Sequence, residues 1–467
     1  MDNSTTSTPG LPRRRRLLGL GALSALALAS GQRVWAQPAP AAGGAPLDGG
    51  RLVVVFLRGA YDGLSAFVPY ADPDYYALRP TIAIPAPDGT AQTSLRLDGT
   101  FALHPALSPL LPLWQQGVLG FVPAAGLPMP NRSHFDAQYQ MEIARTGQTR
   151  SAPGWLNRAA GLGASRSPDS ASAGAAALGV GEANPAILGG PAVIRLIPRG
   201  QAAERTGVLA NDRARQALLD LYAGNDALSE AFRQGAGSRQ QSAQELSAEK
   251  MTVERYRAMA VPPDPRMAGR DPDRDGAPVD PQARSAQMLA ASNGAADPVG
   301  LELDAQHLGT LMRSDRRLRL GFLSAGGWDT HANQGAVTGQ LAGNLGNLGR
   351  GMARLRQHFS EPGDIIVVMS EFGRTSAENG TRGTDHGFGN ALWLIGNRVA
   401  GGRWHGDWTG LARGNLNEAR DLPAHHDYRA VLAQVLRASF SLGDSQLASV
   451  LPDTRWDSRL DGMLKKT

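Results

Sequence analysis

Uninterrupted apolar runs rich in β-branched residues mark five places along the chain: Arg51–Leu57, Val118–Val122, Arg319–Leu323, Asp364–Met369 and Ala391–Ile395. Such runs, without polar alternation, predict strands covered on both faces in a parallel sheet. Helical spacing appears between them. Leu107 to Gln116 predicts a helix before the second strand. Within Gln334 to His358, Leu341, Leu345, Leu348, Met352 and Leu355 recur every three or four positions, which predicts an amphipathic helix. After Asp427, a fitting cap, Val431, Leu432, Val435 and Leu436 share one face of a last helix. Strands alternating with helices predict an α/β fold with a doubly wound, mostly parallel sheet.

The middle breaks this rhythm. Residues 205–259 read as polar helices, residues 262–280 are dense in Pro, Asp, Arg and Gly, and residues 165–184 are rich in Ala, Gly and Ser. These features predict one α/β domain over residues 51–467 with a helical and loop insertion at about 205–300.

The amino end reads differently again. Arg13 to Arg16 precede the apolar run Leu17–Ala29, and Val34-Trp-Ala36-Gln37 is a small-residue cleavage pattern. The three parts predict an export signal over residues 1–36, followed by a linker over 37–50. The run is shorter than the roughly 20 residues a membrane span needs. Arg14-Arg-Arg16-Leu-Leu18 fits a twin-arginine (Tat) signal. The expectation is a periplasmic or secreted protein, handled by the Tat machinery and without a stable membrane span.

Charge and cysteine content narrow the chemistry. The net charge is +5, but the leader holds five arginines against Asp2, so the mature chain carries only +1. No concentrated basic face remains for a nucleic-acid backbone, so nucleic-acid binding is not expected. There is no cysteine, which excludes thiolate metal sites, iron–sulfur clusters and a Cys nucleophile.

In parallel α/β sheets, ligands bind beyond the carboxyl ends of the strands. The first predicted strand is followed by Asp62, and the second by Asn131-Arg132-Ser133-His134-Phe135-Asp136. Asp329 and His331 follow the third, Glu371 and Arg374 follow the fourth, and Asp385-His386 precedes the fifth. Acidic residues and histidines without cysteine suit Zn²⁺, Mn²⁺, Ca²⁺ or Mg²⁺, one ion or two. Each element also has a plain structural use. Ser133 fits a helix N-cap with Asp136 three positions on, and Asp329, Asp385 and Asp427 fit turns or caps. His425 or His426 is a further candidate for the site.

The blocks Arg58–Leu64, Arg132–Gln138, Gly327–His331, Ser370–Thr375 and Gly383–Gly387 resemble the signature of the bacterial domain of unknown function 1501 family, whose members are usually Tat-exported. That family in turn resembles, remotely, the alkaline phosphatase and sulfatase superfamily, which places a two-metal site at the strand ends of a doubly wound sheet. The resemblance implies that Asp62 is the first metal-ligating Asp, Ser133 the nucleophile, and Asp329 with His331 the later Asp…His pair. One residue separates that pair here, against three in alkaline phosphatase. Two alignments remain for the rest. Either Glu371 stands for the superfamily's Asp-His and His386 is the final ligand, or Asp385-His386 is that pair and His425 or His426 completes it.

The implied activity is hydrolysis of a phosphate or sulfate ester, with Ser133 attacking at the metal site and Arg132 or Arg374 gripping the ester oxygens. The alternative is a non-catalytic exported protein that keeps the fold and binds a surface partner. A Ser-His-Asp hydrolase is a weaker third reading, because no Gly-x-Ser-x-Gly elbow surrounds Ser133.

Overall fold

All six side chains of β1 (Leu52–Leu57) are buried, and their alternation sorts them between two cores. Leu52, Val54 and Phe56 join Met141, Trp155, Val431 and Val435 on one face. Val53, Val55 and Leu57 join Leu308, Leu311, Leu345 and Leu348 on the other. A strand covered on both faces needs helices on both sides of its sheet, and the computed structural model has them. The structure describes residues 47, 49–147, 151–162, 175–259 and 286–465. The expected leader, and all of the linker but Leu47, Gly49 and Gly50, lie outside these residues.

Among the described residues, the main sheet has nine strands. After β1 come β2 (Leu119–Gly126), β3 (Ala177–Val180), β4 (Ile194–Ile197) and β5 (Leu320–Ala325). They are followed by β6 (Ile365–Ser370), β7 (Asn390–Ile395), β8 (Arg403–Trp404) and β9 (His426–Asp427). Their spatial order is β8-β2-β7-β6-β1-β5-β3-β4, with β9 also pairing β2. Parallel registers join β1 to β5 and β6, Leu52 lying opposite Leu320 and Ile365. Strand β7 runs antiparallel to both β2 and β6. The result is a mixed α/β fold on a large, mostly parallel sheet.

The five predicted strands are all present, with small shifts at their ends. The Ala/Gly/Ser-rich stretch read as loosely specified contains β3, which pairs in parallel with both β4 and β5. Strand β4 went unread because Arg195, buried against Asp315, interrupts its apolar run. The helix expected from Gln334 begins at Gln340. Gly335 and Gly339 adopt positive φ, and the Gln334 side chain is spent on Asp62, Thr330 and Thr384. Pro109 and Pro112 divide the helix expected at 107–116 into a 3-10 stretch, Pro105–Leu110, and a short helix, Leu111–Gln115.

The middle of the chain supplies helices Asp212–Leu221, Ala227–Met259 and Ala286–Ala291. Glu249 ties the second of these to Thr310 and Arg313 on the helix Leu301–Ser314. Among the described residues, no helix is long and apolar enough to cross a membrane.

Candidate metal centre

The direction of β7 explains how distant blocks meet. Strands β1, β2, β5 and β6 run alike, so their carboxyl ends share one edge, where the reversed β7 has its amino end. His134 opens the helix His134–Ile143 after β2, and Asp329 and His331 follow β5. Glu371 directly follows β6, and Asp385-His386 leads into β7. Gly59, at φ +110°, lets the end of β1 approach this edge, since a Cβ there would lie 2.8 Å from the Asp329 backbone nitrogen.

Three imidazoles converge on one carboxylate oxygen. Asp329 Oδ1 lies 2.9 Å from His331 Nε2, 3.2 Å from His386 Nε2 and 3.4 Å from His134 Nε2. His386 Nε2 is itself 2.9 Å from the Nε2 atoms of both His134 and His331. Tetrahedral ligands held about 2.0–2.1 Å from an ion lie about 3.3 Å apart, so this spacing suits one. Asp329 Oδ2 is buried and has no hydrogen-bond partner, a polar atom left for a cation.

The far side of each ring decides what the near side offers. His134 Nδ1 meets Glu371 Oε1 at 2.7 Å, His331 Nδ1 meets Asp385 Oδ1 at 3.1 Å, and His386 Nδ1 meets the Arg132 carbonyl at 2.9 Å. All three outer partners are acceptors, so in the neutral rings each Nδ1 carries the proton. Each Nε2 then presents a lone pair. Three lone pairs and a carboxylate facing one another repel unless positive charge sits among them. Carboxylate and carbonyl partners on the outer nitrogens are also what orients metal-binding histidines.

Without an ion, burial opposes charge on Asp329, but protons shared from the Nε2 atoms of His134, His331 and His386, with the nearby Arg374, hold its carboxyl far below the carboxylate range; a cation would take the place of those protons. Burial likewise opposes charge on His134, yet Asp329 and Glu371 outweigh it and raise the ring above its usual value. Glu371, wholly buried, is held low by His134 and Gln138 against its own desolvation. Side-chain exposure is 1% at Asp329 and 8% at His134, but 19% at His386 and 29% at His331, so the cluster opens to solvent on one side.

Several candidate residues sit elsewhere or serve differently. Asp62 does not point at the imidazoles: Arg79 contacts both its oxygens, at 2.6 and 3.1 Å, and Ser65 and Gln334 add hydrogen bonds. That buried ion pair satisfies the carboxylate without a metal. Glu371 stands behind His134, accepting also from Gly59 N and Gln138. Asp385 likewise stands behind His331 and bonds Asn379.

Arg374, expected to grip an ester, is buried and spends its guanidinium on the carbonyls of Gly59, Ala60, Trp328 and Thr384 and on Asp329 Oδ1 at 2.6 Å. It pins three loops of the site instead. Arg132 pairs with Glu418 and Asp421. Ser133 occupies the N-cap position without a side-chain cap bond, so the expected capping box is absent; Asp136 bonds Asn131 and Gln140. His426 is held by Asp457 and Asp407 N, and His425 by Thr409, so neither contacts the cluster.

His134 is the residue that sequence reading passed over. It satisfies the same rule as the others, a polar side chain just beyond a strand end, but the superfamily resemblance draws the eye to Ser133 beside it. Among the described residues, His134, Asp329 and His386 form a group able to hold an ion, their ligand atoms all within 4.8 Å of one another.

No curated protein matches the chain. The family model described as "Protein of unknown function (DUF1501)" matches residues 50–453, which contain every residue of this cluster, and the chain belongs to that family.

Proposed function

We propose that the protein binds one divalent cation through His134, Asp329, His331 and His386 and hydrolyses phosphate or sulfate esters beside it. The convergence of three Nε2 lone pairs on Asp329 Oδ1 carries this reading. Three imidazoles and one carboxylate favour Zn²⁺ over the oxygen-seeking Ca²⁺ and Mg²⁺. With Asp62 held by Arg79 and Glu371 behind His134, the ligand set fits one ion better than two. A bound cation would neutralise charge on the ester oxygens and lower the pKa of an oxygen drawn to it.

The chain's own residues supply the rest. Ser133 is exposed, neighbours a ligand in sequence and heads the helix His134–Ile143, whose amino end favours an anion. In this proposal the Ser133 Oγ–P (or Oγ–S) bond forms as the ester bond breaks, and the alcohol leaves with the hydroxyl proton. Water then releases phosphate or sulfate and restores the hydroxyl. Asp329 and the three rings hold their positions throughout, fixed by Arg374, Glu371, Asp385 and the Arg132 carbonyl. The remote likeness to alkaline phosphatases and sulfatases, and the arginine-rich leader, fit an exported hydrolase of the periplasm or the medium.

The test is hydrolysis of aryl phosphates and aryl sulfates by the purified mature chain, with Ser133→Ala and Asp329→Ala alongside. Turnover lost in both variants is expected; turnover unchanged in both ends the hydrolase reading. A second reading, a non-catalytic exported binding or surface-assembly protein with a structural ion, is favoured by the full commitment of Arg374 to protein acceptors. It predicts a bound ion without turnover.

A further inference from the structure

Two of the buried ligands are reached from one short stretch of chain. The helix Ala286–Ala291 and the turns after it, as far as Asp297, lead into the helix Leu301–Ser314. The Ala291 carbonyl accepts from Gln138 Nε2 at 2.7 Å. That same nitrogen donates to Glu371 Oε1 at 3.0 Å, and Glu371 Oε1 accepts from His134. The Gln138 amide has no freedom to turn over, because its Oε1 accepts from Arg58 Nη1 at 3.0 Å. Arg58 is fully buried and held in turn by Glu182, at 2.6 and 2.9 Å, and by Glu142 at 2.7 Å. With its oxygen facing a guanidinium, Gln138 presents only its NH₂ to Glu371.

One residue after Ala291, the chain grips the other ligand loop. Ser292 Oγ accepts from Gly327 N at 3.0 Å and donates to the Met288 carbonyl at 2.9 Å. The Ala296 carbonyl accepts from Gly326 N at 2.7 Å. Asp329 follows two residues beyond Gly327. The contact leaves no space: a Cβ on Gly326 would lie 2.5 Å from Ser292 Oγ and 2.8 Å from the Ala295 carbonyl.

We infer that the strap Ala286–Asp297 positions the cation ligands, setting His134 through Gln138 and Glu371 and setting Asp329 through Ser292 and the Gly326-Gly327 turn. The inference rests on the cation reading above. Gln138 and Ser292 touch no ion themselves and act as positioning residues. Outer partners of this kind are worth about 10- to 100-fold in metal affinity.

The experiment titrates Zn²⁺ against a competing chelator in the mature chain and in Gln138→Met and Ser292→Ala, which perturb the two arms separately, and records thermal melting of each without metal. A merely structural role would lower the metal-free melting temperature and leave affinity unchanged; a positioning role weakens Zn²⁺ binding about tenfold or more in each folded variant. Wild type binding one Zn²⁺, with either folded variant binding equally well, overturns the strap's role and leaves the cation site standing. No Zn²⁺ binding by wild type overturns the site itself, and the strap's role with it.

Discussion

Replacing Glu371 by Gln isolates one physical term of the site. The side chain is wholly buried; Oε1 accepts from Gly59 N at 2.8 Å, His134 Nδ1 at 2.7 Å and Gln138 Nε2 at 3.0 Å, and Oε2 accepts from Ser370 Oγ at 3.0 Å. Gln keeps the shape and one carbonyl oxygen for the three nitrogen donors, and the Ser370 hydroxyl retains its bond to the Leu57 carbonyl. What disappears is the negative charge that makes His134 a stronger base. A hydrogen bond to a charged group contributes roughly 1.5–3 kcal/mol, against about 1 for a neutral one. The difference of about 0.5–2 kcal/mol corresponds to roughly 2- to 30-fold in affinity. Chelator-competition titration of Zn²⁺ at fixed pH measures it, with melting of the metal-free protein confirming the fold. A folded Glu371→Gln protein that binds within about twofold of wild type would refute the claim that Glu371 acts on the cation through His134.

Three further outcomes follow from the geometry. Asp62→Ala leaves Arg79 buried without its counter-charge and is expected to cost about 3–5 kcal/mol in denaturant unfolding while metal stoichiometry stays at wild-type level; loss of the ion instead would make Asp62 a ligand. Zn²⁺ affinity is expected to fall with decreasing pH and binding to release protons, because Asp329 and Glu371 hold His134 above its ordinary value and protons compete for the same nitrogen; calorimetry in buffers of different ionisation enthalpy checks this. Stability is expected to fall between pH 6.5 and 4, since burial lowers His104 to about 4 while the unfolded ring keeps its ordinary value. The unfolded state thus takes the proton first, the loss amounts to roughly 3 kcal/mol and levels off below pH 4, and unfolding titrations of His104→Gln should lack this share of it. The ring must stay neutral because Nδ1 accepts from Ala106 N, whereas Nε2 reaches the Ala336 carbonyl.

Much of the sheet was legible because a strand buried on both faces leaves a continuous apolar run, and all five such runs became strands. Strands β3 and β4 left no comparable signature: one is a four-residue Ala-Leu-Gly-Val run inside an Ala/Gly/Ser-rich stretch, the other carries the buried Arg195. At the site, the rule of reading polar residues beyond strand ends found Asp329, His331 and His386, which gather around one point. It also found Glu371 and Asp385, but position along the chain cannot say whether a carboxylate faces an ion or the back of an imidazole. Asp62 illustrates the limit: its partner Arg79 lies 17 residues away at the end of the short helix Pro73–Leu78, and no local pattern announces that pair. His134 was legible by the same rule and was overshadowed by the serine next to it.

The ion content of the purified protein bears most directly on the whole picture. Equilibrated with Zn²⁺ and freed of excess, the wild-type protein should carry one equivalent by mass spectrometry of the metal, and Asp329→Ala and His386→Ala should carry none. A wild-type protein that stays metal-free under these conditions, or an Asp329→Ala protein that retains its full equivalent, would mean that the three imidazoles meet around protons rather than around a metal.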